Sequence, residues 1–182
     1  MRMFMNRFLL TLVTLVLLAG CKRPAPTVDI WLAAASGNLP VIQQHLAYGT
    51  DVNAVEPVGG GTPLMAAALT GQTEIAGLLI AHGARLDTRN HDGATALMVA
   101  AFFGYPDTVK LLLDKGADVN IPNNNGDTPL DAVTVEWSPS LAAFYRAIGG
   151  SLHLQLDLDR IKAVRPQVAD LLQQHGGKKN KN

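Results

Sequence analysis

Apolar and small residues recur along this chain in short, evenly spaced blocks. Leu64, Ala67 and Ala68 fall at helical spacing on one face, and Leu97, Ala100 and Ala101 repeat that pattern 33 residues later. The alanines leave room for neighbouring helices to approach closely. Leu78-Leu79 and Leu111-Leu112-Leu113 supply a second apolar seam, again offset by 33. Glycines punctuate the blocks: Gly71 and Gly104 are placed to end one set of helices, and Gly49, Gly83 and Gly116 to end another. Glycine adopts the left-handed conformation of a helix stop without steric penalty. The pattern predicts pairs of short helices, buried on one side.

Other landmarks share the period. Thr62, Thr95 and Thr128 are two steps of 33 apart, Gly149 lies 33 beyond Gly116, and Gly37 and Gly49 precede Gly71 and Gly83 by 34. Thr62 and Thr128 are suited to cap the first helix of each unit, with Pro63 and Pro129 at the first helical position, where no N–H is needed. Pro40, Pro106 and Pro166 read as starts of second helices. One such unit cannot bury its apolar face alone, so the units must stack.

The residues that carry the period resemble the ankyrin repeat. Residues 93–120 fit best, with Gly93-Ala94-Thr95-Ala96-Leu97, Ala100-Ala101, Gly104, Val109-Lys110-Leu111-Leu112-Leu113 and Gly116-Ala117-Asp118-Val119-Asn120; residues 60–87 fit nearly as well. The copy at 28–53 lacks the Thr-Pro opening. The copy at 126–150 opens with Gly126-Asp127-Thr128-Pro129-Leu130, then drifts, with Trp137 where a glycine belongs. The resemblance implies an all-α solenoid of stacked helix-turn-helix units with projecting finger loops. It comprises about four repeats over 28–150 and a C-terminal cap or partial fifth repeat over 151–176. Residues 177–182, Gly-Lys-Lys-Asn-Lys-Asn, are expected to be a disordered end.

The N-terminus follows another rule. Arg2 and Arg7 precede the uncharged run Phe8–Ala19, whose twelve residues fall short of the roughly 18 that span a membrane. A basic start, a short apolar run and small residues form a secretory signal. Leu18-Ala19-Gly20-Cys21 then resembles the lipobox of bacterial lipoproteins, and Cys21 is the chain's one cysteine. That resemblance implies a signal peptide over 1–20, lipid on Cys21 and a tether over 21–27. It also implies a periplasm-facing protein, with Lys22 pointing to the outer membrane. Two or more acyl chains, each buried CH₂ contributing about 0.8 kcal/mol, anchor a protein stably where one does not.

Composition narrows the function. A single cysteine excludes an intrachain disulfide framework and a four-cysteine zinc site, and no spacing suggests another metal. The 15 basic and 15 acidic residues cancel, which argues against nucleic acid. They are unevenly spread: residues 28–150 hold 12 acidic and 5 basic side chains, whereas 151–182 hold 3 and 6. An acidic repeat surface suits a basic protein partner. Gly59-Gly60-Gly61 lacks the Gly-Lys-Ser/Thr that would complete a phosphate loop. His82 and His175 precede helix-stopping glycines, and His91-Asp92 sits on a finger without a nucleophile nearby. No cofactor, small-molecule substrate or catalytic constellation is expected. The enzymatic alternative is a hydrolase in 131–165 using Asp131, Glu136, His153 or Asp157 as acid and base.

Ankyrin arrays present finger tips and the exposed face of first helices as one concave binding surface. Carried over, that surface contains Ala35, Ser36, Val58, Gly59, Gly61, Leu69 and Thr70. It continues with His91, Asp92, Ala94, Phe102 and Phe103, then Asn124, Asn125, Asp127, Val135, Glu136 and Trp137. With only ten aromatics in the chain, Phe102, Phe103, Tyr105 and Trp137 at equivalent sites suggest anchors for a partner. The opposing reading is that one Phe packs beneath a neighbouring helix. The resemblance therefore implies a monomeric, membrane-tethered protein that binds another protein as adaptor or inhibitor. A sharper variant is an immunity protein that neutralises a toxin acting in the periplasm.

Overall fold

A computed structural model describes residues 25–180, and all regular structure among them is helical. The expected signal peptide and Cys21 lie outside the described residues. The helices are α1 (Ile30–Ala35), α2 (Leu39–Tyr48), α3 (Pro63–Thr70), α4 (Thr73–Ala81) and α5 (Ala96–Phe102). They continue as α6 (Pro106–Asp114), α7 (Pro129–Thr134), α8 (Pro139–Ser151) and α9 (Leu158–Gln174). Helices α1, α3, α5 and α7 pack side by side in sequence order, and α4, α6 and α9 form a second layer behind them.

The expected caps are present. Thr62, Thr95 and Thr128 accept hydrogen bonds at their hydroxyls from the backbone N–H groups of Met65, Met98 and Asp131, at 3.3, 3.3 and 3.2 Å. At Thr128 the Asp131 carboxylate reciprocates toward the threonine N–H, closing a capping box. Leu64, Ala67, Ala68, Leu97, Ala100 and Ala101 are fully buried between first helices, and Leu79 and Leu112 behind them. Gly71 takes φ 72°, and a Cβ there would stand 2.3 Å from the Tyr105 ring. The stop and the close approach of the next repeat both exclude a side chain.

The fourth repeat departs from the 33-residue step. Gly149, one period beyond Gly116, lies inside α8 and stops no helix. The true counterpart of Gly83 and Gly116 is Gly176, shown by matching hydrogen bonds. Ala84 N donates to Leu79 O, Ala117 N to Leu112 O and Gly177 N to Leu172 O, at 3.0, 3.0 and 2.8 Å. Asn53 donates to Gly83 O at 3.0 Å and accepts from Arg85 N at 2.8 Å; Asn120 does the same toward Gly176 O and Lys178 N at 3.1 and 2.8 Å. Gly116 and Gly176 are 60 residues apart, 27 more than the period.

Those extra residues lie between the two helices of one repeat. Residues 166–176 therefore form the second helix of the fourth repeat, not a cap or a fifth unit. Pro166 occupies the register of Pro106, ten residues before the glycine, but it sits inside α9, which starts two turns earlier. The earlier start is set by Asp157, whose carboxylate caps Arg160 N at 2.9 Å. Nor are residues 177–180 a loose end. Thr128 Oγ1 donates to Lys178 O at 2.8 Å, and Asn180 N donates to the Asp131 carboxylate at 3.0 Å.

Candidate functional site

The fingers are built from three similar local turns, the first one residue longer than the other two. Asn90 N bonds Ala94 O and Asn123 N bonds Asp127 O, at 3.0 and 2.8 Å, and Glu56 N bonds Gly61 O at 2.8 Å. In the second and third turns the asparagine side chain accepts from the tip N–H groups. In the first, Glu56 substitutes, its carboxylate taking Val58 N at 2.8 Å and Gly59 N at 2.6 Å. Those N–H groups, Gly59 foremost, hold the Glu56 carboxyl below its ordinary value.

Consecutive tips are bonded to each other. His91 N donates to Gly59 O and His91 Nδ1 to Val58 O, both at 3.0 Å. One step on, Asn124 N donates to Asp92 O at 2.9 Å and Asn124 Nδ2 to His91 O at 2.8 Å. His91 and Asn124, candidates for partner contact, are thus tied into the ladder, although both remain exposed. Thr70 is similarly engaged, its hydroxyl donating to Ala35 O at 2.8 Å.

Helix α8 lies against the face where a partner was expected. Its Tyr145 is fully buried, stacked on Phe102 at 4.4 Å with the rings 20° apart, and Trp137 stacks on Tyr145 at 5.6 Å. The Tyr145 hydroxyl donates to Phe102 O at 2.8 Å and accepts from Arg165 Nη1 at 3.0 Å. Arg165 also donates to Val135 O at 2.7 Å and lies 5.8 Å over the Trp137 ring. Burial pushes the Tyr145 hydroxyl above its ordinary value of 10.0, against the opposing pull of Arg165. Nearby, Arg160 donates to the carbonyls of Phe103 and Gly104 while stacking on Tyr105. A guanidinium there compensates the negative end of α5.

This corrects the aromatic-anchor expectation. Phe103 is buried, at 5% exposure, and Phe102 is half-buried beneath Tyr145. Trp137 is half-buried in the same stack. Tyr105 lies under Arg160. The aromatics are the seat of an intrachain helix. Sequence periodicity missed this because α8 lies in the 27 residues that interrupt the period.

What remains open is a groove enclosing about 620 Å³ between α8 and the inner faces of the fingers and first helices. Of the expected surface, Gly59, Gly61, Leu69, Asp92, Ala94, Phe102 and Phe103 line it. Ala35, Ser36, Thr70, His91, Asn124, Asn125, Asp127, Val135, Glu136 and Trp137 do not, nor does Val58, which is 86% exposed beside the lining residue Gly59. The missed lining includes the finger residues Glu56 and Asn90 and two further groups. Trp31, Met65 and Val99 are apolar positions of the first helices; Phe144 and Ile148 come from α8 and Leu152 from its C-cap. The former were legible from helical spacing, since Met65 and Leu69 are one turn apart; the latter were not.

The residues considered for hydrolysis serve other ends. Asp131 is buried in its capping box and Asp157 caps α9, while Glu136 and His153 are exposed on separate loops. Among the described residues, no group of three or more His, Cys, Asp or Glu side chains could hold a metal, and no helix is long and apolar enough to cross a membrane.

Comparison with known proteins agrees with the architecture. Ankyrin repeats, in three copies, match residues 30–123. The chain is similar to an ankyrin repeat-containing protein of Schizosaccharomyces pombe, 34% identical over 67 residues, which are 37% of this chain and 32% of that protein. It is also similar to the 2-5A-dependent ribonuclease of Mus musculus, 38% identical over 77 residues, which are 41% of this chain and 10% of that enzyme. The chain thus spans at most about a third of either relative.

Proposed function

From the premise that this chain belongs to the ankyrin-repeat family, a family of protein-interaction modules rather than catalysts, we propose that it is a membrane-anchored lipoprotein that binds a protein partner in its groove. The observation that carries the binding reading is the apolar groove along the fingers and first helices of a four-repeat stack. Exposed apolar side chains belong to the groove or adjoin it in sequence: Phe144 and Leu152 in its lining, and Val58 next to the lining residue Gly59. Exposed apolar clusters of this kind mark interaction surfaces on soluble folds. Consecutive finger tips are already hydrogen-bonded to each other, so binding spends little conformational entropy in ordering them.

Anchoring rests on Leu18-Ala19-Gly20-Cys21, with lipid on Cys21 holding the repeats at the periplasmic side of a bacterial membrane, the outer membrane for Lys22 at the following position. The protein acts as an adaptor or inhibitor and catalyses nothing itself. A basic partner suits the surplus of carboxylates over 28–150. In its narrowest form the partner is a periplasm-acting toxin that the groove neutralises.

Two measurements test this. Labelling of growing cells with an alkyne fatty acid should mark the wild-type protein and not Cys21→Ser, and the variant should leave the membrane fraction; equal labelling removes the anchor. Affinity capture with the full chain should yield a protein that is lost with Val58→Asp/Phe144→Asp while the fold, followed by circular dichroism, is kept. Capture undiminished by that variant would contradict the groove as the binding surface.

A further inference from the structure

The groove is asymmetric in charge. Among the described residues no lysine or arginine lines it, whereas Glu56 and Asp92 do, both on the finger wall. The Glu56 carboxylate is fixed and kept ionised by the tip N–H groups it accepts. Asp92 is exposed; its backbone is pinned by Asn90 and Asn124, and its carboxylate has no ion-pair partner among the described residues. The rest of the lining is dominated by Met65, Leu69, Val99, Phe102 and Ile148. Anionic amphiphiles, such as fatty acids and phospholipids, would bring a negative headgroup to two carboxylates. Neutral polar ligands would leave their hydrogen-bonding groups against aliphatic carbon, at an energetic cost. An apolar group with a cation beside it satisfies both halves.

We propose that the groove takes a polypeptide segment of the partner that presents an aliphatic side chain next to a lysine or arginine. The side chain enters the space lined by Leu69 and Ile148, and the cation meets Asp92 and Glu56. The proposal rests on the binding function above and adds a sequence rule for the partner. It also gives α8 a purpose: the inserted helix supplies the second wall, which an uninterrupted fourth repeat would lack. The Tyr145–Phe102–Arg165 contacts hold that wall in place before the segment arrives.

A phage-displayed library of random 12-residue peptides, selected on the full chain in lipid nanodiscs with counter-selection on empty nanodiscs, tests the rule. Enriched peptides should share an aliphatic residue adjacent to Lys or Arg. The best of them, synthesised and titrated by fluorescence anisotropy, should lose roughly tenfold in affinity with Leu69→Gln and with Ile148→Gln. The loss with Asp92→Asn should be smaller and should disappear at high salt. Leu32→Gln, at an exposed position that does not line the groove, should change nothing. An acidic or purely polar consensus, no enrichment, insensitivity to both groove variants, or displacement of the peptide by decanoate would each overturn the proposal. Should the peptides fail while the full chain still captures its partner through Val58 and Phe144, only the sequence rule falls. If capture fails as well, the binding function falls with it.

Discussion

The second and third repeats and the fourth share their caps and terminal glycines but differ in what joins their two helices. In the second and third, Gly71 and Gly104 reverse the chain at φ 72° and 69° and the second helix begins at once. The fourth has Trp137 near that point, and the chain runs out through α8 before returning as α9. Its two ends still satisfy the repeat, since Thr128 caps α7 and Gly176 closes α9 onto Asn120. The stack requires correct ends and an apolar seam; it tolerates 27 extra residues between them. The regular repeats supply stability that any such array has, and the irregular one supplies the shape of the groove.

The largest expected effect separates these two contributions. Tyr145→Ala should cost about 3–5 kcal/mol, the range for truncating a buried aromatic, because it removes the stack on Phe102 and the hydroxyl shared with Arg165. The exposed neighbour Phe144→Ala loses only an edge-to-face contact with Phe102 and should cost about 0.5–1.5 kcal/mol. Urea denaturation followed by circular dichroism reads both. Equal losses would mean that α8 is held by its surface instead.

Glycines sharpen the comparison. Gly104→Ala must hold a left-handed backbone and place a Cβ 2.7 Å from Val164, so a loss of about 1–3 kcal/mol is expected. Gly150 is helical within α8, and a Cβ added there would meet nothing within 4 Å, so Gly150→Ala should stabilise by roughly 0.5–1 kcal/mol. Thermal melts of the two variants should move in opposite directions. If both fall, residue 150 is a stop like the periodic glycines, and the interruption has been misplaced.

Between the caps, Thr128→Ala should cost more than Thr95→Ala, for which about 1 kcal/mol is typical, because Thr128 also bonds Lys178 O. Denaturant midpoints of the pair measure the difference, and a Thr95 variant that loses more would remove the role given to residues 177–180.

The smallest effect is at high pH. The folded state holds the Tyr145 proton more tightly than the unfolded chain does, so its contribution is complete below pH 10 and is lost as pH rises through the folded pKa. Stability should therefore fall more steeply above pH 10 in the wild type than in Tyr145→Phe. Parallel curves would show that Tyr145 is not buried in solution.

How much of this was legible followed from periodicity. Thr62, Thr128, Gly71 and Gly104 each do a local job that needs one residue type, so their positions predicted the helices, the stops and the stack. Pro166–Gly176 was recognisable as a second helix with its stop, but only the pairing of Asn120 with Gly176 assigns it to the fourth repeat. Phe102 and Phe103 sit at positions that are open in a regular array. What covers Phe102 is Tyr145, 43 residues away in a segment with no periodic counterpart. Glu56 and Asp92 line one groove only because the ladder of finger tips stacks their loops.

Hydrogen–deuterium exchange of the full chain, wild type against Tyr145→Ala, tests the central claim most directly. With α8 seated on the end of α5 through Tyr145, the variant should exchange faster over 139–151 and around Phe102–Tyr105, while residues 30–81 keep their wild-type rates. Unchanged protection across 139–151, or faster exchange spread evenly through all four repeats, would contradict an inserted helix that docks on the stack as its own unit.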